Sequence, residues 1–71
     1  MENLTPKPPI TIEVSLRFTQ RVFDIFRDGM WKYYGKMTST NTYTFNDQFG
    51  VMFYDVIAKE CGENEITISF N

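Results

Sequence analysis

Five apolar residues occupy every second position of one nine-residue stretch: Ile10, Ile12, Val14, Leu16 and Phe18 alternate with Thr11, Glu13, Ser15 and Arg17. Side chains of a strand point alternately to its two faces, so this spacing predicts a strand over 10–18 with one dry side and one wet side. A chain carrying such a strand must build a sheet and lay something apolar over it. The alternation returns at residues 65–70, where Ile66, Ile68 and Phe70 point one way and Thr67 and Ser69 the other. A last strand is expected there.

The covering element is expected at residues 46–61. Phe49, Met52, Phe53, Val56 and Ile57 recur at helical spacing, which makes one apolar stripe. Asn46 suits the N-cap, and Asp47 sits where the helix dipole favours a carboxylate. Gly62 stands where a helix needs a residue that tolerates positive φ. Gly50, inside the helix, costs about 1 kcal/mol relative to Ala and suggests close packing.

Residues 20–35 admit two readings. In one, a short helix capped by Thr19 runs through Val22, Phe23, Ile25 and Phe26 to Gly29, giving a miniature ferredoxin-like βαββαβ pattern. In the other, Asp28-Gly29 is a two-residue hairpin turn between a strand at 21–27 and a strand at 30–40. Asp-Gly is a strong hairpin signal, and Val, Phe, Ile, Trp and Tyr prefer pleated surfaces. The hairpin is the favoured reading. Residues 38–45 are rich in hydroxyls and are expected to finish that strand and turn toward the helix. The resulting fold class is α+β: β-β-β-α-β, a four-stranded, mostly antiparallel sheet with one helix on one face. The expected strand order is last-first-second-third, and the last strand, entered by a helical crossover, should run parallel to a neighbour. All three prolines, Pro6, Pro8 and Pro9, fall in residues 1–9, read as an extended arm that precedes a single domain over 10–71. Pro6-Lys7-Pro8-Pro9 is also compatible with a polyproline II ligand.

One helix cannot hide seven Phe, four Tyr and one Trp. With Asp28-Gly29 as the turn, one side of the hairpin shows Val22, Phe26, Trp31, Tyr33 and Met37. The other shows Phe23, Ile25, Met30 and Tyr34 with Arg27 and Lys32. An uncovered apolar patch on a small chain marks an interaction surface, and Trp, Tyr and Arg dominate interface energetics. The expected partner-binding residues are therefore Phe26, Arg27, Trp31, Lys32, Tyr33 and Tyr34.

Histidine is absent, which removes the commonest general base and metal ligand. Cys61 is the only cysteine, so neither an intrachain disulfide nor a cysteine-based zinc site can form. Its place near a helix C-terminus disfavours a thiolate. No phosphate loop or calcium loop is present. A non-enzymatic protein without cofactor or metal is expected. The scarcity of cysteine points to the cytoplasm, and no apolar run is long enough to span a membrane. The net charge of −2 divides into a basic middle and an acidic end, with residues 17–36 at +3 and residues 44–71 at −4. Trp31-Lys32-Tyr33-Tyr34-Gly35-Lys36 interleaves rings with positive charge, as single-strand DNA and RNA binders do on their sheets. In that alternative Arg27, Lys32 and Lys36 would reach phosphates.

In size and in its wealth of Phe, Tyr, Thr and Asn, the chain resembles the small accessory proteins of tailed bacteriophages and other mobile elements. That resemblance implies docking on, and modulation or inhibition of, one larger host protein in the host cytoplasm. A homodimer that buries the patch against itself is a further alternative.

Overall fold

The computed structural model describes residues 9–70. The proline-rich arm therefore lies outside the described residues, apart from exposed Pro9. The elements run β1 (Ile10–Val14), a 3-10 turn (Leu16–Phe18), α1 (Thr19–Asp28), α2 (Trp31–Tyr34), β2 (Gly35–Ser39), β3 (Thr42–Phe45), α3 (Phe49–Cys61), a second 3-10 turn (Glu63–Glu65) and β4 (Ile66–Phe70). The fold is α+β, with a four-stranded sheet in the order β2-β3-β1-β4 and every adjacent pair antiparallel. This is the βαββαβ order held above as the alternative, in the ferredoxin-like layout.

The hairpin at Asp28-Gly29 is thus corrected. Residues 19–28 are helical because helical spacing separates wet from dry better than alternation does. Val22 and Phe26 are buried one turn apart, and Phe18 and Ile25 pack beside them. Gln20, Asp24 and Arg27 remain on the wet side, where Gln20 Nε2 donates to Asp24 Oδ1 at 3.1 Å and Arg27 pairs with Asp24 at 3.3 Å. A strand would have put Asp24 on the same face as Val22 and Phe26. Gly29 is not a positive-φ turn residue; its φ is −107°. It is small because a Cβ there would stand 2.5 Å from the Trp31 ring. Thr19 does not cap α1 either: its hydroxyl donates to the Leu16 carbonyl at 3.1 Å.

Three further expectations change. The first strand stops at Val14, and Leu16 is 74% exposed. Residues 42–45 are a strand rather than a turn, and they place Tyr43 and Phe45 at the centre of the core. The last strand does lie beside the first, but antiparallel to it. β3 and β4 run in the same direction with β1 inserted between them, so the crossover through α3 passes over a strand instead of joining neighbours. Asn41 ties the β2–β3 hairpin to β1: Val14 N donates to its carbonyl at 2.8 Å, and its side-chain Nδ2 donates to the Val14 carbonyl at 2.8 Å.

Both long helices cover one sheet face. Ile10, Ile12 and Val14 of β1, Tyr43 and Phe45 of β3 and Ile66 of β4 meet Val22 and Phe26 of α1 and Phe53 and Ile57 of α3. Phe53 is the hub. Its ring centroid lies 5.8 Å from Phe26, 5.4 Å from Tyr43, 5.4 Å from Phe45 and 5.6 Å from Trp31. The helix stripe is rotated from the expected one: Gly50, Phe53 and Ile57 are buried, whereas Met52 and Val56 lie exposed. Gly50 permits this rotation, since a Cβ there would stand only 3.0 Å from Ile10 Cγ2 and Phe45 Cβ. Asp47, not Asn46, caps α3, accepting the Phe49 N–H at 3.0 Å. Gly62 ends it at φ +101°, with its N–H bonded to the Ala58 carbonyl at 2.8 Å.

Candidate functional site

A corner of the helical layer holds the exposed rings. After Gly29 the chain makes a single helical turn, α2, against the N-terminal half of α3. Trp31 points inward from it, half-buried, with its ring 6.3 Å from Phe49 and 5.6 Å from Phe53. The outward side carries Met30 at 59% and Tyr33 at 72% exposure. Tyr34 lies flat on Phe49, with centroids 3.9 Å apart and planes 6° from parallel. The result is an aromatic ledge whose base is fastened to the core and whose outer members meet solvent.

The six expected partner-binding residues divide. Tyr33 and Tyr34 are on the ledge. Lys32 is exposed beside them, with its ammonium 5.2 Å from the Tyr33 ring centroid. Phe26 is corrected: it belongs to the core, 4.8 Å from Tyr43. Trp31 is a strut rather than a free anchor. Arg27 is occupied by its own chain, since its Nε donates to Asp28 Oδ1 at 3.0 Å. That bond raises the Arg27 pKa and lowers the Asp28 pKa. Met30 and Phe49 complete the ledge. Sequence reasoning left both out because it placed Met30 in a strand and Phe49 under the sheet. The surplus of uncovered rings shrinks accordingly, because α1 supplies the second cover that the hairpin reading lacked.

The three expected phosphate contacts do not converge. Arg27 ends α1, Lys32 is on α2, and Lys36 faces away from the helices, paired across the sheet with Thr44. The rings from Trp31 to Tyr34 are on a helical turn, not on a strand. The open sheet face instead carries hydroxyls: Thr11, Thr42, Thr44, Thr67 and Ser69, with Glu13 and Lys36. The basic middle of the chain is largely paired with acids. Arg21 Nη2 donates to Glu60 Oε1 at 2.8 Å, which ties α1 to α3 and raises the Arg21 pKa. Arg17 lies 4.0 Å from Glu65.

Among the described residues, the concavities lined by Glu13 and Asn41, by Tyr54 and Lys59, and by Phe23 and Met37 are open and gather no nucleophile beside a base. One of about 560 Å³ lies along the last turns of α3 between Tyr54, Asp55, Lys59 and Glu63. The half-buried Cys61 has its thiol pKa pushed up by burial, away from the thiolate. Among the described residues no cluster of three or more His, Cys, Asp or Glu could hold a metal ion, and no helix is long and apolar enough to cross a membrane. Comparison with family models, with curated proteins and with solved structures gives no match.

Proposed function

We propose that this chain is a small non-enzymatic binding module that docks on a larger protein through the ledge at α2 and thereby modulates or inhibits it. The observation that carries this reading is the stack of Tyr34 on Phe49, which holds exposed Tyr33 and Met30 on a braced support. Side chains already fixed lose little rotamer freedom on binding, and aromatic anchors contribute most of the energy at protein interfaces. Lys32 at the rim favours an acidic patch on the partner. In this reading, which rests on the resemblance in size and composition to bacteriophage accessory proteins, the partner is a host protein of the cytoplasm.

A photo-crosslinking residue at Tyr33 tests the proposal in cells of the native source. The crosslinked protein is then purified and titrated against the wild type and Tyr33→Ala/Met30→Ala. Loss of one good aromatic anchor is expected to weaken binding about tenfold or more. Unchanged affinity in the double variant refutes the ledge. The single-strand nucleic-acid reading has less behind it, because its rings are off the sheet and Arg27 is already paired. It predicts affinity that collapses between low and moderate salt, whereas an apolar dock changes little.

A further inference from the structure

The two edges of the sheet are built differently. The β2 edge carries Lys36 and a register irregularity between Met37 and Ser39, both devices that discourage pairing. The β4 edge has neither. Ile66-Thr67-Ile68-Ser69-Phe70 is uncharged and free of proline, and it keeps an unbroken register with β1. Phe70 is 61% exposed at its end.

The phase of the ladder shows which backbone groups this edge presents. Ser15 N donates to the Glu65 carbonyl at 2.8 Å, so the facing pair 15/65 is a hydrogen-bonded one. Bonded and non-bonded pairs alternate between antiparallel strands. Glu13/Thr67 and Thr11/Ser69 are therefore bonded pairs, and Thr67 and Ser69 spend their N–H and C=O groups on β1. The N–H and C=O groups of Ile66, Ile68 and Phe70 turn outward. Among the described residues no backbone bond from another segment reaches them.

We propose that β4 pairs antiparallel with β4 of a second copy of this chain, about a two-fold axis at Ile68, joining two sheets into one. That register sets Ile68 against Ile68 of the second copy and Ile66 against Phe70 of the second copy. Every outward N–H and C=O of the three residues then finds a partner. The side chains match themselves: apolar faces apolar on the helix side, Thr67 faces Ser69 of the second copy on the open side, and no charge meets another. Such self-complementarity is what a two-fold interface requires of a single strand. The exposed Phe70 ring is covered in the process, and the ledge at α2 is left free.

Sedimentation equilibrium over rising concentration and amide hydrogen exchange test this together. The average mass should climb from 8.4 kDa toward twice that value. The Ile68 amide, fast to exchange when dilute, should become protected in step. Phe70→Pro removes an outward donor and the exposed ring while sparing every bond to β1, and should abolish both effects; Tyr33→Ala should abolish neither. A monomer at all concentrations up to about 1 mM, the weak end of specific association, overturns the proposal. So does a dimer whose Ile68 amide stays unprotected, or protection that does not vary with concentration, which would mean an occupant from the same chain. Should Phe70→Pro fail to fold, the wild-type exchange pattern decides alone.

Discussion

Tyr43 puts a hydroxyl in the driest part of the molecule. Its side chain is fully buried among Phe26, Phe53 and the sheet, and its Oη has no hydrogen-bond partner among the described residues. A buried hydroxyl without a partner forfeits about 1–3 kcal/mol of solvation. Tyr43→Phe removes that oxygen and keeps the ring, so the loss of packing is less than one methyl group. The variant should be more stable by about 1 kcal/mol or somewhat more. For a domain of this size that moves a urea midpoint up by about 1 M and a melting temperature by about 4–8 °C. Burial also pushes the phenol from 10.0 up to about 12. The unfolded chain releases this proton near pH 10, whereas the folded chain holds it until about pH 12. The associated stability is complete below the lower value and is lost as pH rises through the upper one, about 3 kcal/mol in all. Urea titrations of both proteins across this window should therefore diverge further as pH climbs, the wild type falling faster. A Tyr43→Phe protein that is less stable at neutral pH, or that shows the same alkaline slope, would refute the reasoning: the hydroxyl would then be bonded in the first case and solvated in the second.

Gly35→Ala should destabilise by about 1–3 kcal/mol in the same assay, because a Cβ there would stand 2.6 Å from Cζ of the fully buried Phe45; a neutral result would mean that the ring can swing aside. Cys61 should react with iodoacetamide more slowly in the native protein than in urea at neutral pH, with the native rate rising as pH passes the ordinary thiol range; a native rate above the unfolded one would contradict its burial.

The first and last strands, the helix at 49–61 and the positive-φ Gly62 were legible because each shows a regular period or a residue with one conformational use. The first helix was misread for a definite reason. Asp28-Gly29 and the β-branched and aromatic residues before it argue locally for a hairpin, and propensity outweighed spacing. Yet Phe18, Val22, Ile25 and Phe26 already fall on one helical face, and Asp24 sits where a strand would have buried it. Tyr43 and Phe45 went unnoticed as a strand because four threonines around them dilute the apolar signal, although the alternation is intact. Of the residues expected at a binding surface, Lys32, Tyr33 and Tyr34 lie exposed on the ledge, whereas Phe26 lies in the core. Which of several rings stays wet depends on how many helices cover the sheet, and that number turned on the misread segment.

β1 sits between two strands that are made much later. Ile10 lies beside Phe45 on one flank and beside Phe70 on the other. Such long-range pairing is entropically slow to close. As the chain leaves the ribosome, the row of Ile10, Ile12 and Val14 has no sheet to enter until residues 42–45 emerge, and no second neighbour until residues 66–70 follow. Synthesis and folding are thereby coupled: α1 can cover the apolar face of this strand early, but its two backbone edges stay unpaired until those later residues are made.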